Sequence, residues 1–193
     1  MELVFATGNK GKLREASEIL GPSFTLRSPA DVGVFEDVEE TGTTMRENAA
    51  IKARHLWRLT GKNCFADDSG LEVDALGGAP GVYSARYAGE DKDFARNIDK
   101  VLEDLAAAED KKDMRARFRC VIALIYEGRE YYFDGVLEGR ITPVPAGCGG
   151  FGYDPIFIPE GYDKTLAQME EEEKNSISHR YHGLVQMRDM LMR

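Results

Sequence analysis

The residues best suited to chemistry lie between Phe65 and Gly70, where Asp67 and Asp68 end a short apolar run and Ser69 follows them. A carboxylate at a strand end can hold a metal ion or take a proton from water. Because neighbouring side chains of a strand point to opposite faces, we expect one aspartate to face a site and the other to support the backbone. The chain is predicted to turn at Gly70, and a plain turn explains the same residues without any chemistry.

A second candidate site is the glycine-containing segment after the predicted N-terminal strand, Leu3–Ala6. Its residues are Thr7, Gly8, Asn9, Lys10, Gly11 and Lys12. The apolar spacing beyond it predicts a helix that ends near Gly21. Backbone N–H groups and the helix dipole favour a phosphate at such a junction, and the lysines add full charges. The spacing is not that of a Walker A motif, and an ordinary turn with solvated lysines explains it equally well.

An acidic run at Glu36–Glu40 precedes a third candidate region. Thr44 and Glu47 form the pattern of a capping box, which predicts a helix start. A polar row follows on that helix at spacings of four and three: Asn48, Lys52 and His55. A solvated flank is the commoner fate of such a row. If the row borders a cleft, Lys52 reaches an anion, and Glu40 supplies a second carboxylate to the aspartate site.

The segment Ala146–Tyr153 contains four glycines in eight residues, and they bracket Phe151. Glycines beside an aromatic let a ligand ring approach the backbone while the aromatic face stacks on it. A glycine-rich turn with a core phenylalanine is the alternative. Farther on, three hydrogen-bond donors lie around a predicted helix start and suit a ligand that presents carbonyl oxygens: Lys174, His179 and Arg180. A metal pair of His179 and His182 is disfavoured, because no acidic or cysteine ligand has matching spacing.

The remaining elements are a strand after Gly70, a hairpin and several helices. Alternating residues predict strands at Arg115–Tyr126 and Glu130–Val136, with an arginine row on a solvated or paired face. Helices are predicted near Phe94–Leu105, at Thr165–Glu173 and after an N-cap at Ser176 or Ser178. The stretch Leu76–Gly89 has the composition of an ordered loop. This irregular mixture predicts an α/β fold with a long mixed sheet flanked by helices, in one two-lobed domain spanning residues 1–193.

Composition excludes several classes of protein. The chain has 193 residues, a net charge of -9 and three cysteines without a C-x-x-C pair. The negative charge argues against a surface that binds nucleic acid by neutralising phosphates, and the cysteines suggest neither a disulfide framework nor a zinc site. No signal peptide is recognisable and no apolar stretch approaches the roughly 18 residues of a membrane span. We therefore expect a cytoplasmic protein with no membrane partner.

Taken in order, these pieces resemble the inosine triphosphate pyrophosphatase family, also described as non-canonical purine (XTP/dITP) pyrophosphatases. Seven stretches in register carry the resemblance: Thr7–Lys12, Glu39–Gly42, Glu47–Arg54, Ala66–Leu71, Leu76–Tyr87, Gly150–Pro155 and Glu173–Arg180. The resemblance implies a two-lobed α/β fold, a homodimer, and hydrolysis of ITP, dITP and XTP to the monophosphate and pyrophosphate with Mg²⁺. The Leu76–Gly89 loop is our candidate for the dimer surface.

The resemblance also assigns roles to the candidate residues. Asp68 is the catalytic base, and Glu40 with Asp68 holds Mg²⁺. The Thr7–Lys12 loop and Lys52 neutralise the triphosphate. Further substrate contacts are expected from Ser69, Phe151, Gly152, Tyr153, Asp154, Lys174, His179 and Arg180. Phe151 is expected to stack on the purine, with Tyr153 and Asp154 completing that wall.

Other functions remain as alternatives. A nucleotide sensor keeps the pocket without hydrolysis, but it does not need a water-activating carboxylate such as Asp68. A Maf-like pyrophosphatase acting on modified pyrimidines is disfavoured by the run from Ser176 to Arg180. A nucleic-acid-binding module lacks both the charge and a reader motif.

Overall fold

The structure, a computed structural model that describes residues 1–193, contains one mixed β-sheet. Its strands are β1 (Glu2–Phe5), β2 (Thr25–Arg27), β3 (Cys64–Val73), β4 (Arg115–Tyr126), β5 (Arg129–Ile141) and β6 (Phe157–Pro159). Their order is β2-β1-β3-β4-β5-β6. β1 pairs in parallel with β2 and β3, whereas β5 and β6 are antiparallel. The predicted α/β class with a mixed sheet is therefore confirmed.

Five α-helices accompany the sheet, and none combines the length and apolar character needed to cross a bilayer. They are α1 (Lys10–Leu20), α2 (Met45–Thr60), α3 (Phe94–Ala107), α4 (Glu171–Ile177) and α5 (His179–Leu191). The predicted capping box is present at the start of α2, where Thr44 and Glu47 satisfy each other's backbone N–H groups. Gly61 ends α2 in the left-handed conformation at φ 63°, which favours glycine. Local sequence therefore sets both ends of α2.

The structure contradicts the predicted turn at Gly70. β3 continues without interruption from Cys64 to Val73, so the predicted strand end and the strand after it are one element. β1 pairs only with the start of β3, at Cys64 and Phe65, and β4 is the neighbour on the other side. Pairing within the sheet holds β3 extended through Gly70, although the local composition there favours a turn.

The predicted helix Thr165–Glu173 is also wrong. Thr165 and Gln168 form a capping box around a short 3₁₀ turn, Leu166–Gln168, and Met169 and Glu170 are extended. α4 then begins at Glu171. The Leu76–Gly89 stretch, predicted as an ordered loop, begins at the last residue of one 3₁₀ turn, Asp74–Leu76, and contains a second, Gly81–Arg86.

The predicted hairpin is confirmed, and its arginine row is paired. Arg119 Nε lies 3.1 Å from Glu72, and Arg117 lies 2.9 Å from Asp74 and 3.1 Å from Glu138. Because carboxylates neutralise these guanidinium groups, the row is one paired face of the hairpin.

The chain divides into two compact units, each with its own core. The first comprises Met1–Asp68, Cys120–Gly135 and Arg180–Arg193, and the second comprises Ser69–Arg119 and Val136–His179. In the first unit, Phe5 stacks on Phe65 at 4.3 Å between ring centroids. In the second, Phe118 packs against Phe157 at 4.6 Å. That residues 1–193 form one domain stays a prediction.

Candidate active site

Asp67 and Asp68 occupy adjacent positions of β3 and have different partners. Asp67 is 2% exposed, with Lys12 Nζ at 3.1 Å and Arg180 Nε at 2.9 Å. Asp68 instead accepts a hydrogen bond from Asn48 Nδ2 at 3.4 Å. Alternating side chains of a strand separate the two carboxylates in this way. Asp67 therefore holds charged side chains in place, while Asp68 faces the polar row of α2.

Asp67 belongs to a buried network of alternating charge. Arg180 Nη1 donates to Glu15 at 2.7 Å, and Glu15 lies on α1 one turn beyond Lys12. Burial opposes ionisation of Asp67, but Lys12, Arg180 and Lys52 hold its pKa well below the usual range. Arg180 thus joins α5 to β3 and α1, a contact that we did not predict. Its predicted role as a donor to a base stays a prediction.

Asp68 lies in a different electrostatic setting. Burial, together with the charges of Glu40 and Asp67, raises the pKa of Asp68 to about 6, against an opposing effect of Lys52 and Lys12. Lys52 Nζ is 3.2 Å from Glu40 and 3.9 Å from Asp68. Asn48 and Lys52 of the polar row therefore border this acidic centre and do not form a solvated flank.

Glu40 and Asp68 suit a magnesium ion better than a metal caged by protein. No group of three or more His, Cys, Asp or Glu side chains is arranged to hold a metal ion. Mg²⁺ usually keeps several waters and needs only one or two carboxylates together with substrate phosphate oxygens. Two carboxylates that share one lysine leave a local excess of negative charge. The donor set thus fits Mg²⁺ delivered with a phosphate ligand.

The Thr7–Lys12 segment forms the predicted junction between β1 and α1. Asn9 caps α1, and its Oδ1 accepts from the backbone N–H groups of Gly11 and Lys12 at 2.9 and 3.2 Å. Thr7 Oγ1 accepts from the Asn9 N–H. A Cβ added at Gly8 meets nothing within 4 Å, and Lys10 is exposed. This part of the segment is open to a ligand, whereas Lys12 is directed at Asp67.

Ser69 follows Asp68 directly, and its Oγ is buried without a hydrogen-bond partner. A buried hydroxyl in that state costs free energy unless a water or ligand satisfies it. The Ser69 Oγ is therefore a polar group available to a water or a ligand, and its predicted substrate contact stays a prediction.

In the second unit, Asp154 organises the predicted base-binding segment. Asp154 Oδ2 accepts from the Phe151 backbone N–H at 3.0 Å and from Lys174 Nζ at 2.5 Å. The Lys174 ammonium also lies over the Phe151 ring, 4.7 Å from its centroid. Phe151 is 53% exposed, so the predicted alternative of a core phenylalanine is wrong. Asp154 itself is buried and acts by holding Phe151 and Lys174.

Tyr153 lies in the core of the second unit, and His179 stacks on a residue of that core. Tyr153 is 4% exposed, and its hydroxyl donates to the Ser84 carbonyl at 2.6 Å. The prediction that its ring completes a base wall is wrong, because the ring packs inward and only its backbone is left for a ligand. The His179 ring stacks on Phe118 at 5.1 Å and 17°. Phe118 therefore fixes the plane of His179.

Two residues of the first site were not predicted as part of it. Glu15 lies on α1 and Asn48 on α2. The apolar spacing that predicts these two helices involves other residues. Glu15 gave no local signal, because its partner Arg180 is 165 residues away. Asn48 gave a weak one, since it shares the helical row with Lys52. Their spacing of four residues places both on one face of α2.

Known proteins are similar to this chain over nearly its whole length. The sequence model of the Ham1 family matches residues 3–190. A relative from Flavobacterium johnsoniae named dITP/XTP pyrophosphatase is 48% identical over 191 residues, covering 99% of this chain and 98% of the relative. A Bacillus subtilis protein of the same name is 48% identical over 192 residues, covering 98% and 96%.

Solved structures are similar over the same length. A HAM1 protein from Coxiella burnetii gives a TM-score of 0.93 at 45% identity, covering 100% of this chain and 98% of that one. A nucleoside-triphosphatase / dITP/XTP pyrophosphatase from Mycobacterium abscessus gives 0.79 at 43% identity, covering 97% and 98%. The resemblance seen in the motifs is confirmed, and the chain belongs to the Ham1 family.

Proposed function

We propose that this protein hydrolyses the non-canonical purine triphosphates ITP, dITP and XTP to the nucleoside monophosphate and pyrophosphate. The observation that carries the proposal is the acidic centre of the first unit, where Lys52 lies within 4 Å of Glu40 and Asp68. Such a centre suits water activation beside a polyphosphate, and the names of the Ham1 relatives point to the same reaction. The activity clears deaminated purines from the nucleotide pool.

Asp68 is the general base in this proposal. It takes a proton from a water molecule, whose oxygen forms a bond to the α-phosphorus of the substrate. The bond between the α-phosphorus and the α–β bridging oxygen breaks, and pyrophosphate leaves with that electron pair. A base whose pKa is raised to about 6 still ionises at neutral pH, yet it is basic enough to accept the proton.

The cations of the first unit hold the triphosphate. The open part of the Thr7–Lys12 segment binds phosphate oxygens through backbone N–H groups, and Lys52 neutralises charge beside the reacting phosphorus. Glu40 and Asp68 hold Mg²⁺, which when bound offsets the charge that develops on the leaving pyrophosphate. The Ser69 hydroxyl donates a hydrogen bond to the substrate, which gives the buried Oγ a partner.

The base is recognised by residues around Phe151 and at the start of α5. Phe151 stacks on the purine, while Lys174, His179 and Arg180 donate hydrogen bonds to its oxygen atoms. Hypoxanthine and xanthine carry an acceptor at position 6, where adenine carries an amino donor. A donor set opposite that amino group leaves buried groups unsatisfied, and such mispairing costs about 10⁴-fold in specificity. ATP is therefore rejected.

The experiment is a product analysis with ITP, XTP, GTP and ATP, each in Mg²⁺. We expect pyrophosphate with IMP or XMP, and little turnover of ATP or GTP. Asp68→Asn keeps the shape of the side chain and removes the base, so turnover falls by about 10³-fold or more while ITP binding persists. Orthophosphate with IDP would contradict attack at the α-phosphorus. If the wild type binds ITP without turnover, the protein is a nucleotide sensor and not an enzyme.

We also propose that the protein is a cytoplasmic homodimer. The nucleotide pool that it would cleanse lies in the cytoplasm. Tyr83, in the Gly81–Arg86 turn, is 54% exposed and is available for a contact with a second copy. Sedimentation equilibrium gives the mass directly, and a monomer at all concentrations would contradict the dimer.

A further inference from the structure

Asn48 is a buried amide on α2 that no step of the proposed mechanism uses. It is 4% exposed, and its carboxamide makes two hydrogen bonds. Oδ1 accepts from the backbone N–H of Gly42 at 2.8 Å, and Nδ2 donates to Asp68 Oδ2 at 3.4 Å. Gly42 lies two residues after Glu40. The side chain therefore connects the segment that carries one proposed metal ligand to the other ligand.

The orientation of this carboxamide is fixed by its partners. A backbone N–H only donates, so the atom facing Gly42 must be the amide oxygen. The amino group is then turned toward Asp68, where an ionised carboxylate accepts. Reversing the amide would oppose donor to donor at Gly42 and acceptor to acceptor at Asp68. Asn48 thus satisfies both partners in one orientation only.

This orientation distinguishes the two oxygens of Asp68. Oδ2 is held by Asn48, while Lys52 Nζ lies 3.9 Å from Oδ1. Asn48 and Lys52 are one helical turn apart, so α2 addresses both oxygens from one face.

The segment after Glu40 is fastened to the same helical turn. The backbone N–H groups of Thr43 and Thr44 donate to Glu47 Oε2 at 2.7 and 3.1 Å. A Cβ added at Gly42 would lie 2.6 Å from Asn48 Oδ1 and 2.6 Å from Glu47 Cβ. Gly42 is therefore required for the close approach that the Asn48 bond needs.

We propose that Asn48 is a positioning residue that holds the Glu40 segment and Asp68 as a pair of ligands for the divalent cation that accompanies the nucleotide. The inference rests on the proposed function and deepens it. Loss of the Asn48 amide leaves Glu40 and Asp68 in the chain but removes the hydrogen bonds that connect the Glu40 segment to Asp68. Nucleotide binding that depends on the cation is then weakened, whereas binding that does not depend on it persists.

The second unit contains a matched control. Asn97 is also a buried helical asparagine, at 1% exposure. Its Oδ1 accepts from the Ala88 N–H at 2.7 Å and its Nδ2 donates to the Ala85 carbonyl at 3.0 Å. It fastens a loop to a helix as Asn48 does, but it has no carboxylate partner. Asn97→Ala therefore reproduces the structural cost of losing such an amide.

The test is calorimetric binding of the α,β-methylene analogue of ITP, which cannot be hydrolysed between those phosphates, with and without Mn²⁺. We expect Mn²⁺ to tighten binding to the wild type and to Asn97→Ala equally. In Asn48→Ala the tightening falls by about 10-fold to 100-fold, the usual cost of losing a residue behind a metal ligand. Binding without Mn²⁺ stays unchanged. Gly42→Ala breaks the same bond from the other side and gives the same result.

Failure of the role proposed for Asn48 can be distinguished from failure of the proposed function. If Mn²⁺ tightens binding to the wild type and to Asn48→Ala by the same factor, the role of Asn48 is refuted and the proposed function stands. Equal losses in Asn48→Ala and Asn97→Ala would also refute it, since they would report general loosening. If neither Mn²⁺ nor Mg²⁺ tightens binding to the wild type, the metal part of the proposed function is itself refuted. Thermal melting of each variant shows that the compared proteins are folded.

Discussion

At the scale of the residue, two adjacent aspartates have opposite electrostatic surroundings. Asp67 is bonded to Lys12 and Arg180, which keep it ionised, whereas burial raises the pKa of Asp68. The difference follows from the strand, which sends consecutive side chains to different faces. One carboxylate is thereby paired with cations, and the other has a raised pKa.

Arg180 is expected to stabilise the fold through this network. Lysine keeps the charge but cannot place two donors on Asp67 and Glu15 at once. Because disrupting a buried ion pair leaves a poorly compensated charge, Arg180→Lys should lower the free energy of unfolding by about 3 kcal/mol, measured by urea denaturation. Arg188→Lys, on the same helix and partly exposed, is the control and should cost about 0.5 kcal/mol or less. Equal costs for both variants would contradict the network.

At the scale of the element, the glycines around Phe151 differ in what surrounds them. Gly150 and Gly152 both have positive φ, at 67° and 61°. A Cβ at Gly150 would lie 2.1 Å from Asp154 Oδ2, whereas one at Gly152 meets nothing within 4 Å. Only Gly150 therefore allows Asp154 to hold the Phe151 backbone and Lys174.

This difference predicts unequal effects of the same substitution. Both Gly150→Ala and Gly152→Ala cost about 1–2 kcal/mol of left-handed strain. Only Gly150→Ala also displaces Asp154, which positions the segment proposed to bind the base. We therefore expect the KM for ITP of Gly150→Ala to be about tenfold higher than that of Gly152→Ala. Steady-state kinetics of the two variants compare them directly. Equal KM values would show that Asp154 does not organise this segment.

Elements with local signals were predictable, and those set by distant pairing were not. The capping box of Thr44 and Glu47 and the hairpin were readable because their determinants lie within a few residues. The extended path of β3 through Gly70 was not, since it depends on pairing with strands elsewhere in the chain. The same holds for Arg180, whose bond to Asp67 spans 113 residues. Sequence patterns predicted the candidate site residues, but not the partners that orient their side chains.

At the scale of the whole molecule, buried ionisable groups link stability to pH. Cys64 is in the core of the first unit, where burial raises the pKa of its thiol to about 12 and Sγ donates to the Ala53 carbonyl. The unfolded thiol has a pKa near 8.5. Above that value the unfolded state loses a proton that the folded state keeps, so the contribution to stability present at lower pH is lost as pH rises.

The loss should be visible between about pH 8.5 and about pH 11, at up to about 1.4 kcal/mol per pH unit for this thiol. Urea unfolding of the wild type and of Cys64→Ala at both ends of that range isolates the thiol, because all other groups titrate in both proteins. Cys148→Ala, which removes an exposed thiol, is the control and should retain the wild-type slope. If the free energy of unfolding falls with pH as steeply in Cys64→Ala as in the wild type, the Cys64 thiol is not the source of the pH dependence.

In the proposed mechanism, water activated by Asp68 attacks the α-phosphorus. Hydrolysis of ITP in ¹⁸O-labelled water, followed by mass spectrometry of both products, tests it most directly. We expect the label in IMP and none in pyrophosphate, because the new bond forms at the α-phosphorus and the bridging oxygen leaves. Label in pyrophosphate would place the attack on the β-phosphorus and would contradict the mechanism.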